Sequence, residues 1–245
     1  MKHLILFVVI AGLVLAVGTA QALTLQGQAA YSWQASWTAD SSGPEYWDNP
    51  SVDGTPPGNI GYQSFVAGQS YWGSAGGAAD LEVTFTSGGS DWAAIKIEIA
   101  GLANQNKFGA YKKGDPSVKK LLFTGSAGPG ASIIFNPVTE LGSTDFGFYL
   151  EGPRGTWYTE SSLNAPGQKS DQHFAFFTAP PLVPGLKAYY IGAEDTPFLD
   201  ASGNPWSDRD YQDMVVYVAN IPDASTWMLF LSGVPALALL RRRKG

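Results

Sequence analysis

The chain contains no cysteine and only two histidines, His3 and His173, among 245 residues. The first absence excludes disulfide scaffolds, thiolate zinc sites, iron–sulfur clusters and cysteine nucleophiles. The second excludes a three-histidine metal centre. Charge is scarce as well: 15% of residues are Asp, Glu, Lys or Arg, with 15 basic against 21 acidic and a formal net charge of −6. Because 44% of the residues are hydrophobic and 13% aromatic, the balance is opposite to that of a disordered chain. Several catalytic signatures are also missing. There is no Gly-x-Ser-x-Gly elbow, no Gly-Lys-[Ser/Thr] phosphate loop and no His-Glu-x-x-His zinc helix. His173 lies in Gln172-His173-Phe174-Ala175-Phe176-Phe177, where no partner for a general base is evident, and it reads as a structural residue of a strand. Glu98, Glu151 and Glu160 could serve a glycosidase only at a carboxylate separation that the sequence does not fix.

The two ends differ from the middle. Residues 1–22 read as a secretory signal peptide. Lys2 gives the positive start, residues 4–17 form an apolar run broken only by Gly12, and Ala20-Gln21-Ala22 fits the small-x-small cleavage pattern. That run is short of the ~20 residues of a full span, so cleavage before Leu23 is expected rather than retention as an anchor. At the other end, an apolar stretch at 227–240, interrupted only by Ser232, Gly233 and Pro235, is followed by Arg241-Arg242-Arg243-Lys244. By the positive-inside rule the basic cluster stays cytoplasmic. The body then lies outside the inner membrane, as the leader also requires.

Ile221-Pro222-Asp223-Ala224-Ser225-Thr226-Trp227, the apolar run and the Arg-rich end together resemble the PEP-CTERM sorting signal of Gram-negative bacteria. The usual Val-Pro-Glu-Pro is replaced here by Ile221-Pro222-Asp223-Ala224. The resemblance implies recognition of residues 221–245 by an exosortase-type enzyme, with an inner-membrane-anchored precursor delivered to the cell envelope or beyond it, in a setting rich in exopolysaccharide or biofilm. A plain periplasmic protein anchored by an uncut tail is the alternative. Without Lys2 and the four cations at 241–244, ten basic residues face 21 acidic ones, a net charge of about −11. Such a body repels nucleic acid and suits cations.

Between Leu23 and Asn220, alternation of period two prevails and sustained helical periodicity is missing. Candidate strands are 31–37, 81–86, 93–99, 119–123, 132–135, 146–150, 173–178, 187–191 and 214–218, with Gly, Pro, Asn, Asp and Ser between them. The expected fold is all-β, an antiparallel β-sandwich or jelly roll over 23–220, flanked by a signal helix and a C-terminal transmembrane helix. Residues 23–80 form an aromatic, loop-rich part and 81–220 the core; one continuous domain is expected. Residues 41–77 carry four Pro and six aromatic rings and are expected to pack as ordered loops. Trp33, Trp37, Trp47, Trp72, Trp92 and Trp157 either fill the core or stack on sugars. Trp47 and Trp72, in loops, are the candidates for glycan contact. A carbohydrate-binding module or a weak glycan-active enzyme is therefore the alternative to a non-enzymatic envelope protein.

Acidic residues gather ahead of the last strand, in Gly192-Ala193-Glu194-Asp195 and Asp208-Arg209-Asp210-Tyr211-Gln212-Asp213. In extended chain Asp208 and Asp210 point the same way, and Asp213 opens the last strand. Hard oxygens without His or Cys suit Ca²⁺, and so many carboxylates repel one another without a cation. Glu194, Asp195, Asp208, Asp210 and Asp213 are the candidate metal ligands. A solvated acidic loop neutralised in part by Arg209, or catalytic carboxylates, are the alternatives. An EF-hand is excluded, because counting from Asp208 puts Ala219 at the bidentate position and leaves no mid-loop Gly. The segment through Met214-Val215-Val216 resembles the closing signature of a domain of unknown function in bacterial surface proteins (Gly-x-Glu-Asp, then Asp-x-Asp-[Tyr/Phe]-[Asn/Asp]-Asp-hydrophobic-Val-Val). Gln212 departs from that pattern. Phe108-Gly109-Ala110-Tyr111 and Phe146-Gly147-Phe148-Tyr149 carry a fainter likeness to the same family. The resemblance implies an all-β module and cation ligation by those five acids.

Overall fold

The computed structural model describes residues 23–26, 82–98, 103–167, 172–204, 206–207, 211 and 213–221. The expected signal helix, the alternation at 31–37, Trp47, Trp72, Asp208, Asp210 and the sorting segment from Pro222 with its transmembrane helix lie outside those residues. Among the described residues, no helix is long and apolar enough to cross a membrane.

The described chain is built of strands: β1 (Thr24–Gln26), β2 (Thr84–Thr86), β3 (Asp91–Glu98), β4 (Lys107–Lys112), β5 (Asp115–Phe123), β6 (Ser132–Phe135), β7 (Asp145–Gly152), β8 (Gly155–Tyr158), β9 (Phe174–Thr178), β10 (Ala188–Ala193) and β11 (Met214–Asn220). They form two sheets. One has the order β1-β2-β7-β4-β5 with β8 also on β7, and the other β6-β3-β11-β10-β9. All pairings are antiparallel, so the fold is all-β, as the alternation predicts. The short strands β1, β4 and β8 are additions to the expected set.

Among the described residues, one α-helical turn and two 3₁₀ turns, Ala103–Gln105 and Ser161–Leu163, interrupt the pattern. Helix α1 (Pro137–Leu141) rests on local signals instead of periodicity: Asn136 accepts from the amides of Val138 and Thr139, and Gly142 ends the turn at φ 66°. The Glu140 side chain accepts from the Asn136 amide, which completes a reciprocal cap.

The sheets face each other across aromatic rings. Phe85 of β2 lies 6.0 Å from Phe176 of β9 and 5.7 Å from Tyr189 of β10; Phe135 of β6 lies 5.5 Å from Phe146 of β7. Along β7, Phe146, Phe148 and Leu150 point inward, joined by Phe108, Ile191, Val216 and Val218. Burial of each such side chain contributes about 1.5–3 kcal/mol. Trp157 is wholly buried in this cluster, so for that ring the core reading holds and sugar stacking does not.

The outer face of the first sheet uses glycine as a seat for tyrosine. Gly109 of β4 is the register partner of Tyr149 on β7, and Tyr111 of Gly147, so each Tyr ring lies over the glycine of the facing strand. A Cβ on either glycine would fall inside the contact radius of that ring, and one on Gly147 would also stand 2.7 Å from Thr159 Oγ1. The Tyr111 hydroxyl accepts from the Glu160 amide at 3.0 Å, and burial pushes its pKa well above the ordinary phenol value. Gly147→Ala is expected to lower stability by about 1–3 kcal/mol in thermal unfolding. Gly128→Ala, where a Cβ meets open space, is expected to stay within about 0.5 kcal/mol. Equal behaviour of the two variants would contradict the seating of Tyr111.

Candidate metal centre

Sheet register assembles the acidic site. In the β10–β11 ladder Ile191 faces Val216 and Gly192 faces Val215, and just past this end of the ladder Glu194 and Asp195 come within reach of Asp213. The long connection from 194 to 213 thus leaves and re-enters the sheet at one point. On the other side of β10, Ala193 faces Phe174. The next place is closed by hydrogen bonds: the Glu194 amide donates to the His173 carbonyl at 3.0 Å, and His173 Nδ1 lies 3.1 Å from the Glu194 carbonyl. That second contact requires the proton on Nδ1.

Three of the five expected ligands converge. One carboxylate oxygen from each of Glu194, Asp195 and Asp213 lies within 4.8 Å of the others; Glu194 and Asp195 are buried and Asp213 is half-buried. Ca²⁺ binds oxygen at 2.3–2.6 Å, so ligand atoms around one ion are separated by at most about 5 Å. The donor set fits such an ion in both spacing and hardness. Asp208 and Asp210 lie outside the described residues.

Asp195 and Asp213 are fixed from behind. Asp213 Oδ2 accepts from the Asp195 amide at 2.9 Å. Asp195 accepts from Thr196 Oγ1 at 2.9 Å on one oxygen and from Asn106 Nδ2 at 2.8 Å on the other. A carboxylate oxygen that accepts one hydrogen bond keeps a second lone pair, so these contacts orient Asp195 and Asp213 without exhausting them as ligands. Arg154 donates to Thr196 Oγ1 at 3.0 Å, and its guanidinium lies 4.6 Å from the centroid of the Trp206 ring.

Tyr211, two residues before Asp213, is wholly buried and adopts φ 56°. For a residue with a Cβ this left-handed conformation costs about 1–2 kcal/mol, and the surroundings hold it there. Its hydroxyl donates to the Gln172 carbonyl at 3.0 Å, and its ring packs edge-on against Phe198 at 6.4 Å. His173, next along the chain from Gln172, is buried between the Trp157 ring at 4.7 Å and the Phe198 ring at 4.3 Å. It is a stacked structural residue, as its strand context predicts.

Asn106 is the residue that sequence reasoning missed. It is wholly buried, 89 positions from Asp195, and no local pattern announces it. Gly152 makes room for it, since a Cβ there would stand 2.6 Å from Asn106 Oδ1. Trp206 was also missed; it is 48% exposed and lines a surface pocket of about 490 Å³ with Phe198, Leu199 and Asp200.

No family model matches the sequence, and no curated protein matches it. Among solved structures the chain is similar to the Chromobacterium violaceum lectin CV2L in complex with alpha-methyl-fucoside, at 10% identity over 57% of this chain and 96% of that one, with a TM-score of 0.32. It is also similar to a Ralstonia solanacearum high-affinity mannose-binding lectin, at 15% identity over 59% of this chain and 99% of that one, with a TM-score of 0.33. Likeness at this level carries no weight for function.

Asn106→Ala strips the buried Asp195 carboxylate of a donor and is expected to cost about 1–3 kcal/mol. Denaturant unfolding checks this, and an unchanged midpoint would show that Asn106 does not orient the acid.

Proposed function

We propose that the chain is an exported, non-enzymatic cell-envelope protein whose β body is stabilised by Ca²⁺ at Glu194, Asp195 and Asp213. The observation that carries this reading is the meeting of three carboxylates, two of them buried, at the mouth of the 194–213 connection. Asp208 and Asp210, on the same connection, would add oxygens to complete the shell. A cation bound by the folded state alone stabilises it by mass action and pins the connection to the sheet. Residues 1–22 would direct export. Ile221, Pro222, Asp223, Ala224 and Ser225, the apolar run and Arg241 to Arg243 would present the tail to an exosortase-type enzyme in the inner membrane.

The test is thermal unfolding of the purified full chain with calcium and with chelator. Calcium at a hundredfold excess over its dissociation constant is expected to add about 2.7 kcal/mol, a rise of about 5–10 °C for a domain of this size, and Asp213→Asn is expected to abolish that rise. A midpoint indifferent to calcium would remove the cation from the reading. The intact mass of the mature protein addresses the tail: loss of Arg241 to Lys244 supports sorting, and their retention supports a permanent anchor.

A second reading, glycan binding, is favoured by the half-exposed Trp206 beside the pocket that Leu199 and Phe198 also line. An exposed ring backed by a cation offers one face for a sugar. Trp47 and Trp72 are candidates for the same role by their place in the sequence alone. Binding of the host's own exopolysaccharide that disappears in Trp206→Ala supports this reading; equal binding by both forms, or none by either, counts against it.

A further inference from the structure

The opposite end of β11 holds a second buried polar cluster that the cation reading leaves unused. Asn220 closes the strand and is the register partner of Asp91 on β3. Its Nδ2 donates to Asp91 Oδ1 at 2.9 Å, and its Oδ1 accepts a hydrogen bond from the backbone nitrogen of Leu23. All three residues are nearly or wholly sealed from solvent: Leu23 and Asp91 are 0% exposed and Asn220 4%. Among the described residues, Asp91 Oδ2 has no hydrogen-bond partner. A lone buried carboxylate with an idle oxygen is costly. Burial pushes the Asp91 carboxyl up to about 7, against the pull of hydrogen bonds from Ser87 and Asn220. The cluster is short of one cation with a spare donor.

Leu23 is the residue at which the leader is expected to be cut. While Ala22 precedes it, its nitrogen is an amide with one hydrogen, already given to Asn220. Hydrolysis of the Ala22–Leu23 bond adds one water: the Ala22 carboxylate leaves with the leader, and Leu23 keeps an amine that takes up a proton. The resulting α-ammonium has three donors and a positive charge. One donor can remain on Asn220 Oδ1, and the others would be free for Asp91, which the Asn220 side chain joins to the same nitrogen.

We propose that the α-ammonium freed at Leu23 by leader removal is seated in the core beside Asn220 and forms a buried ion pair with Asp91, so that processing itself completes the fold. This rests on the export reading, in that it needs cleavage before Leu23. The Leu23 side chain, packed in the core cluster, holds the new terminus in place. Asp91 then changes from a burden to an anchor. An ionised Asp91 facing an amide is unpaired, whereas facing an ammonium it is compensated, and breaking such a pair from one side is strongly destabilising.

The test compares two exported full-length proteins, the natural sequence and one with a single Gly inserted between Ala22 and Leu23, each with and without Asp91→Asn. In the second, Leu23 keeps an amide nitrogen after processing. In the natural protein Asp91→Asn is expected to lower the thermal midpoint by about 10 °C; in the Gly-inserted protein the same substitution is expected to raise it or leave it unchanged. An equal response in both, with the natural protein shown by mass spectrometry to begin at Leu23, overturns the seat and leaves the export reading standing. A mature start elsewhere overturns the seat alone, and a mature protein that keeps Met1 overturns leader removal and the seat together. Should the Asp91→Asn protein fail to fold, an amine-reactive reagent applied to the natural protein gives the answer. The Leu23 amine is expected to resist labelling until the chain is unfolded, and rapid labelling in the folded state overturns the proposal.

Discussion

Antiparallel pairing of β10 with β11 brings Glu194 and Asp195 within reach of Asp213, and the candidate centre depends on that placement. The ladder from Ala188 facing Ala219 to Gly192 facing Val215 is built of residues buried along both strands. A slip by one place would turn every side chain to the wrong face of a packed sheet. The hydrophobic cost of a register shift therefore fixes the meeting of the acids. Carboxylates held this close repel one another when ionised, and a hard cation would relieve that.

The same strand carries a polar device at each end. At its start, Asp213 receives the Asp195 amide beside the stacked His173 and the left-handed Tyr211. At its finish, Asn220 joins Asp91 and the nitrogen of Leu23. Central strands buried on both faces have few places where polar groups can be satisfied, and here those places are the two ends. The ends are where a connecting loop and the chain entering β1 are fastened to the core.

Much of the fold is legible in the sequence because it rests on local alternation. The run Ser132 to Phe135 is expected as a strand and is one, and the strand at 214–218 needs only two residues added at its end. Strand β4 escapes notice, because Phe108 and Tyr111 face opposite sides of the sheet and Gly109 between them has no side chain; the ring of Tyr149 on β7 covers that place. The helix α1 is too short for periodicity and is written in its caps. At the site, Glu194, Asp195 and Asp213 can be grouped because they bracket one loop. Asn106 cannot, since its partnership with Asp195 exists only once β4 and β10 are folded. The neighbours of Asp91 follow from a pairing across 129 residues, which no window of sequence displays.

The centre at the mouth of the 194–213 connection is tested most directly by calorimetric titration of calcium into the metal-stripped, folded full-length protein. One saturable binding event is expected, weakened at least tenfold by Asp195→Asn and unaffected by Glu151→Gln, a surface acid paired with Lys107 and Lys119. Absence of saturable heat, or equal binding by all three proteins, would contradict a calcium site there.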